Sequence, residues 1–128
     1  MEQQAVAISE AESKVMEVLW QGSAAMPADD IVAALVSGQQ WQEATIKSLL
    51  NRLLNKGAVS AQKDGRRYLY TAVLKREQWL TSESKGMLDR LFGGRIAPLV
   101  AHFGKHRKLS KTDIAELKRL IGELDDDR

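Results

Sequence analysis

Hydrophobic residues recur at helical spacing in three successive segments near the start of the chain. The motif SEAE at residues 9–12 has the form of a capping box, and the apolar stripe after it predicts a first helix that ends near Trp20. Pro27 suits the first turn of a second helix, which should stop at Ser37-Gly38. A third helix should end at Lys56-Gly57. Its inward-facing positions are Ile46, Leu49, Leu50, Leu53 and Leu54.

The period of the pattern changes after Gly57, where short strand-like runs replace the helical stripe. These runs cover residues 58–61 and 68–71, and Asp64-Gly65 is the predicted turn between them. Three helices followed by a two-stranded ribbon form a winged helix-turn-helix arrangement. The pattern therefore predicts a mainly α-helical fold with a small β-hairpin.

From residue 75 onward the pattern is helical again, with one broad apolar face up to a break at Gly93-Gly94. A short apolar helix follows over residues 96–103, and residues 110–113 can cap a last helix. We therefore predict a winged-helix domain over residues 1–74 and a helical dimerisation domain over residues 75–128.

The predicted helical domain is too short to bury its large apolar residues against itself. We expect a second copy of the chain to cover them in a two-fold dimer, and the alternative is that the tail folds back onto the first domain. The predicted dimer interface consists of Trp79, Leu80, Leu88, Leu91, Phe92, Leu99, Phe103, Ile114, Leu117, Ile121 and Leu124.

Composition and charge narrow the classes of function. The chain has no cysteine, which excludes disulfides and thiolate metal sites. It has no apolar run of membrane-spanning length and no signal-peptide pattern, so we expect a cytoplasmic location. Residues 1–41 carry one basic and six acidic residues, whereas residues 42–70 carry six basic and two acidic residues. This segregation indicates a face that meets a polyanion, unless it is a solvated surface with chance clustering.

The outward face of the third helix carries residue types that suit the major groove of DNA. Short hydroxyl side chains can bond base edges, and Lys and Arg reach guanine acceptors or phosphate oxygens. Basic side chains at the tip of the hairpin would lie against the phosphate backbone or in the minor groove. Tyr68 and Tyr70 are expected to pack on the helices, and the alternative is that they reach a phosphate through a hydroxyl. The predicted DNA-contacting residues are Ala44, Thr45, Lys47, Ser48, Arg52, Lys63, Arg66 and Arg67.

No combination of residues supports catalysis, a cofactor or a bound metal. His102 and His106 have the i,i+4 spacing of a metal pair on a helix, but no carboxylate or Cys accompanies them and Gly104 interrupts the segment. We therefore expect solvated or packing histidines. There is no nucleophile–base pair, glycine-rich phosphate loop or acid/base dyad, so the sequence predicts a protein that is not an enzyme.

Several short motifs carry a family resemblance when they are taken together. They are ISEAE at residues 8–12, VMEVLW at 15–20, TIKSLLNRL at 45–53 with Lys56-Gly57, GRRYLY at 65–70, LDRLFGG at 88–94 and Leu109-Ser110. The combination resembles the penicillinase-repressor family of bacterial transcriptional regulators (the BlaI/MecI/CopY type). The resemblance implies a homodimeric repressor in which each N-terminal domain reads half of an inverted-repeat operator. The third-helix residues and Arg66 with Arg67 would then face the operator.

The resemblance also carries expectations about release from DNA, and here the chain departs from the family. Members are often released when a membrane sensor protease leads to cleavage at an Asn-Phe bond in the C-terminal helices, and the matching position is His102-Phe103. Copper-responsive relatives use C-terminal Cys pairs, which this chain lacks. Members often carry Ser-Pro where this chain has Gln42-Glu43, and we expect Glu43 to cap the third helix.

The sequence thus predicts a repressor of a β-lactamase or another stress or resistance operon. The alternative is a winged-helix module that binds an acidic protein partner without sequence-specific DNA binding.

Overall fold

The computed structural model describes residues 6–22 and 24–127. Within these ranges the helices are α1 (Glu10–Gln21), α2 (Ala28–Gln39), α3 (Glu43–Lys56), α4 (Arg76–Phe92), α5 (Ile96–Lys105) and α6 (Lys111–Asp126). The strands are β1 (Met26–Pro27), β2 (Val59–Asp64) and β3 (Arg67–Ala72). The predicted order of three helices followed by a β-hairpin is confirmed.

The chain divides into two compact units, one up to Glu83 and the other from Ser84 onward. The division falls inside α4, so this helix contributes residues to both units. The predicted boundary between independently folding domains at residues 74 and 75 stays a prediction.

The core of the first unit forms where the apolar stripes of α1, α2 and α3 meet. Helix α1 contributes Val15, Met16 and Leu19, which are all buried, because residues three or four apart share one face of a helix. Burial of each large aliphatic side chain contributes about 1.5–3 kcal/mol, so the three stripes supply most of the stability of this unit. The buried residues of the other two helices are Ile31, Leu35, Ile46, Leu49, Leu50 and Leu53.

One charged side chain is buried in this core. Glu12 is 1% exposed, and its carboxylate accepts hydrogen bonds from the Ser9 amide at 2.7 Å and from Lys56 Nζ. The Ser9 hydroxyl in turn accepts from the Glu12 amide at 3.0 Å, which completes the predicted capping box. Burial raises the pKa of the Glu12 carboxyl, but the hydrogen bonds and the charge of Lys56 lower it by more, so this pKa lies below its ordinary value.

The sheet has three strands in the order β1-β3-β2, all antiparallel. Pro27 pairs with Leu69 and precedes α2 in extended conformation, so its predicted place in the first helical turn is wrong by one residue. An edge strand tolerates proline because its missing N–H can face away from the sheet. The hairpin loop is Gly65-Arg66 and not Asp64-Gly65, since Asp64 pairs with Arg67.

Two glycines lie inside helices that were predicted to end or break at them. Helix α2 continues through Gly38 to Gln39 and ends at Gln40, which has a φ of 57°. Helix α5 continues through Gly104 to Lys105. A glycine inside a helix costs about 1 kcal/mol relative to alanine, which the remaining residues of each helix offset.

The start of α4 is tied to the first unit. The ring centroids of Trp79 and Trp20 lie 5.3 Å apart, and Trp79 packs against the buried core. The Trp20 indole donates to the Leu74 carbonyl at 2.8 Å, and Arg76 Nε lies 3.0 Å from Glu17 Oε1. Trp79 is therefore packed within its own chain, and we remove it from the predicted dimer interface.

The second unit has well-formed helix ends but no core of its own. Helix α4 ends before Gly93-Gly94, as predicted, and Ser110 with Asp113 forms the predicted capping box of α6. None of the described residues of α4, α5 and α6 is buried. Large apolar side chains of these helices are consequently exposed, namely Leu80, Leu91, Ile96, Phe103, Ile114, Leu120, Ile121 and Leu124.

We predict that Glu12→Gln lowers the free energy of unfolding by about 1–2 kcal/mol at pH 7, because it removes a charge-assisted bond in a buried position. The folded-state pKa of Glu12 is lowered, so its contribution is complete above the unfolded-state pKa of about 4.3 and is lost as the pH falls through the folded value. Urea titrations at pH 7 and pH 3 measure this. Glu10→Gln, in the same helical turn but exposed, is the control. An equal loss for Glu12→Gln at both pH values would contradict the ion-pair role.

Candidate nucleic-acid interface

The outward face of α3 is a continuous polar surface. Ala44, Ser48 and Arg52 follow one another at four-residue spacing, which places them on one side of the helix, opposite the buried leucines. Thr45 and Lys47 flank this side. All eight predicted DNA-contacting residues are exposed, including the three on the hairpin, Lys63, Arg66 and Arg67.

Helix α3 is capped by backbone hydrogen bonds at its C-terminal end. Gly57 has a φ of 80°, which favours glycine, and its amide donates to the carbonyls of Leu53 and Leu54. Gln42 is the N-cap and makes no side-chain capping bond. Glu43 is not the cap that the sequence predicted. As the first residue of α3, it instead lies 3.5 Å from Lys47 Nζ.

The wing is the hairpin formed by β2, β3 and their two-residue loop. Gly65 opens the loop with a φ of 66°, the position at which a tight hairpin favours glycine. Arg66 follows in the loop, and Arg67 begins β3 with its Nε 3.8 Å from Asp64 Oδ2. The exposed tip of the wing therefore carries two adjacent guanidinium groups, one in the loop and one at the start of β3.

The base of the wing is fixed to the first unit. The Ala58 carbonyl accepts hydrogen bonds from the amides of Val73 at 2.8 Å and Leu74 at 2.9 Å, so both ends of the hairpin meet at one buried point. Ala58 and Leu74 are buried, whereas residues 60–68 are exposed. The wing thus combines a rigid base with a solvated, basic tip.

A groove of about 530 Å³ separates α3 from the wing. Lys47 and Asn51 line it from α3, and Arg67 and Tyr68 line it from β3. Tyr70 packs against the core as predicted, but Tyr68 is 51% exposed, so the expectation that both rings pack is wrong for Tyr68. Both tyrosines lie on the same face of β3. The strand extends beyond the edge of the core, so Tyr70 is covered and Tyr68 is not.

Asn51 and Tyr68 are therefore two groove residues that the predicted site lacked. The alternation of side chains along β3 showed that Tyr68 and Tyr70 share one face of the strand. It could not show that the core ends between them, because that depends on tertiary packing. The groove is also lined by two acidic residues, Asp29 and Asp30, in the first turn of α2. A polyanion is thus favoured at the side of α3 and the wing and disfavoured at the start of α2.

Two of the predicted contact residues already have acidic neighbours, Lys47 beside Glu43 and Arg67 beside Asp64. All four side chains are more than half exposed, and exposed pairs of this kind contribute at most about 1 kcal/mol. A phosphate oxygen can displace such a partner at little cost. The arrangement can therefore place a helix in the major groove while basic side chains contact phosphates.

Two further kinds of feature concern the part of the chain that the structure describes, namely metal-ligating clusters and membrane-spanning helices. Residues 6–22 and 24–127 contain no cluster of three or more metal-ligating side chains, and no helix there is long and apolar enough to span a membrane. The His102 and His106 rings lie 4.6 Å apart on exposed positions of α5 and its C-cap. The His102-Phe103 bond lies within α5, and Phe103 is 41% exposed.

Known proteins are similar to this chain in sequence and in fold. The sequence model of a family described as penicillinase repressor matches residues 8–123. The penicillinase repressor of Bacillus licheniformis is 31% identical over 91% of this chain and 90% of that protein. The methicillin resistance regulatory protein MecI of Staphylococcus aureus is 27% identical over 96% of this chain and 99% of that protein.

A solved structure is similar as well. The monomeric form of Bacillus licheniformis BlaI in complex with the blaP half-operator matches with a TM-score of 0.53 at 31% identity. The match covers 59% of this chain and 93% of that one. The similarity to a DNA-bound protein agrees with the nucleic-acid interface derived above from α3 and the wing.

We predict that Arg66→Ala combined with Arg67→Ala weakens binding to all DNA sequences, because the tip would lose two phosphate contacts. The slope of log K against log salt should become shallower by about 1.8, at about 0.9 per contact. Fluorescence anisotropy over a range of salt concentrations measures this slope. Lys14→Ala combined with Lys75→Ala removes the same charge elsewhere in the first unit and is the control. A wing variant with the slope of the control would contradict the phosphate-contact role.

Proposed function

The chain belongs to the penicillinase-repressor family, and we propose that it represses transcription by binding an inverted-repeat operator as a homodimer. It is a sequence-specific DNA-binding transcriptional repressor and not an enzyme. The observation that carries the proposal is the exposed face of α3 beside a basic wing. We propose that each protomer inserts α3 into the major groove of one half-site.

Base recognition is assigned to the outward face of α3. The Ala44 methyl group permits close approach or contact with a thymine methyl, the Ser48 hydroxyl can bond a base edge, and Arg52 can reach guanine acceptors. Thr45 and Lys47 flank this face and are assigned to the phosphate backbone, together with Lys63 and the two arginines of the wing. In this proposal specificity comes from α3, whereas much of the affinity comes from the wing.

Dimerisation is assigned to helices α4, α5 and α6. Their described residues are all at least partly exposed, although many are large and apolar. Exposed apolar surface of this extent is typical of an interface. The proposed surface consists of Leu80, Leu88, Leu91, Phe92, Leu99, Phe103, Ile114, Leu117, Ile121 and Leu124. A second copy would cover it without any contribution from Trp79.

We propose that the chain is a cytoplasmic repressor and that it controls a β-lactamase operon or another stress or resistance operon. A membrane sensor protease is the proposed source of the releasing signal, with His102-Phe103 as the bond whose cleavage would disrupt the dimer surface. The amides of His106 and Lys108 donate to the carbonyls of His102 and Phe103 at 3.2 Å and 2.8 Å. A protease would therefore have to unwind the end of α5 before cleavage.

The proposal is tested by selecting bound duplexes from a random DNA library with the full-length chain. We expect two related half-sites in inverted orientation, about one helical turn apart from centre to centre. The selected duplex should outcompete a scrambled duplex of equal length by roughly 10³-fold or more. Equal competition by the two duplexes would favour the winged-helix protein–protein module instead.

We predict that Ser48→Ala changes base preference at one position of each half-site, because the lost hydroxyl can no longer bond a base edge. The cost at the preferred base should be about 1 kcal/mol, with little effect on other bases. Binding to a panel of single-base variants of the selected operator measures this. Ser37→Ala, at an exposed position of α2, is the control. A uniform loss across the panel would reassign Ser48 to the phosphate backbone.

We predict that Ile121→Asp combined with Leu124→Asp converts the dimer to a monomer and lowers operator affinity by about 10²-fold or more, because the half-sites are no longer linked. Sedimentation equilibrium and anisotropy measure the two effects. Val36→Asp changes a similarly exposed apolar residue of the first unit and is the control. A variant that stays dimeric would refute this interface.

A further inference from the structure

The turn between α5 and α6 carries a dense run of basic residues. Residues 105–111 contain Lys105, Arg107, Lys108 and Lys111 and no acidic residue, and we call this segment the basic corner. All four side chains are exposed. Among the ion pairs within residues 6–22 and 24–127, none involves a residue of the corner. Its positive charge is thus not neutralised by an ion pair within the described part of the chain.

The backbone conformation of Arg107 is unfavourable for an arginine. Helix α5 ends in a Schellman motif, in which the Arg107 amide donates to the Gly104 carbonyl at 3.2 Å. The Lys108 amide donates to the Phe103 carbonyl at 2.8 Å and completes the motif. The residue after the C-cap is left-handed in this motif, and Arg107 accordingly has a φ of 57°. Glycine is the usual residue there, so backbone geometry does not explain the arginine.

The position of Lys111 is unfavourable for a different reason. Lys111 is the first residue of α6, and the N-terminal end of a helix carries a partial positive charge that disfavours basic side chains. The cap bonds at this end join Ser110 and Asp113 and do not involve Lys111. Within the corner, the dipole of a helix favours only Lys105, which lies in the last turn of α5. Local helix stability therefore does not explain the corner as a whole.

A strained or locally unfavourable residue at an exposed position is a reason to look for a ligand. The ligand that fits here is a polyanion, since the corner has only positive charge. Its seven residues span at most about 22 Å, and duplex DNA carries one negative charge per about 1.7 Å of helix axis. One stretch of duplex can therefore offer a phosphate to each basic side chain of the corner.

We propose that the basic corner is a second DNA-contacting surface, which binds phosphates of the operator backbone independently of base sequence. The proposal rests on the operator binding of the proposed function and adds a contact that lies outside α3 and the wing. The corner then contributes affinity, whereas base recognition stays with α3.

A charge-neutralising variant of the full-length chain tests the phosphate contacts. It is Lys108→Gln with Lys111→Gln, and its control is Lys85→Gln with Lys118→Gln, which removes the same charge from exposed positions of α4 and α6. We expect the corner variant to raise the Kd for DNA by about 10-fold or more at about 100 mM salt. The slope of log K against log salt should become shallower by about 1.8, at about 0.9 per lost contact. Fluorescence anisotropy with the selected operator and with a scrambled duplex should show a similar effect on both, because phosphates carry no sequence information.

An Arg107→Gly variant separates the role of the charge from that of the fold. Glycine suits the left-handed backbone, so the midpoint of thermal unfolding should be no lower than that of the wild type. The Kd for DNA should nevertheless rise by about 3-fold or more, and the salt slope should become shallower by about 0.9. The control is Gln40→Gly at the end of α2, because Gln40 also has a φ of 57° but carries no charge. We expect this control to keep the DNA affinity of the wild type.

Sedimentation equilibrium shows whether the corner acts on DNA or between protomers. We expect the corner variants to keep the dimer dissociation constant of the wild type. A dimer constant that rises in step with the Kd for DNA would overturn the second DNA surface and assign the corner to contacts between protomers.

Other outcomes distinguish this inference from the proposed function. A wild-type chain that binds the operator no better than scrambled DNA would remove the proposed function and, with it, the operator as the ligand of the corner. Corner variants with the Kd and the salt slope of their controls would overturn only the second DNA surface. A corner variant with altered base preference would also overturn the phosphate contact, and would assign the corner to base edges.

Discussion

Burial of the Glu12 carboxylate constrains the first unit more than any other single interaction. An ionised group that is 1% exposed has to be paired, because an isolated charge in an apolar core is strongly unfavourable. Its partners are the Ser9 amide, which begins α1, and Lys56, which ends α3. The start of one helix and the end of another are thereby held at the same point. The orientation of α3, the proposed DNA-reading helix, follows from that link and from the apolar core beside it.

The position of the wing is fixed by the same C-terminal end of α3. The chain turns at Gly57 directly after Lys56, and Ala58 then accepts the amides that close the hairpin at Val73 and Leu74. Leu74 in turn accepts the Trp20 indole at the end of α1. One chain of contacts therefore joins α1, α3 and both ends of the wing. Because the base is rigid, charge can be concentrated at the exposed tip without loss of the core.

The periodicity of apolar residues was sufficient to predict the six described helices and both long strands, because the spacing of apolar residues within an element depends only on that element's own geometry. It failed where a distant contact decided the structure. Strand β1 exists only through its pairing with β3, more than forty residues away, so Pro27 carried no local sign of it. Gly38 and Gly104 looked like helix ends, but the surrounding residues outweighed their weak preference. The helical spacing of Trp79 placed it on the apolar face of α4. Its packing on Trp20 depends on a contact between residues distant in sequence, which the local pattern does not show.

The two units draw stability from different sources, and this difference has a consequence for regulation. The first unit buries its stripes within one chain, whereas the described helices of the second unit bury none of their residues. Stability of the second unit is consequently linked to protomer concentration in the proposed dimer. In the proposed dimer, joining two half-site readers raises the effective concentration of the second reader, so operator affinity would depend on the second unit as well as on the first. In the proposed regulation, a signal that disrupts the proposed dimer surface of α4, α5 and α6 would therefore release DNA while α3 and the wing stay folded.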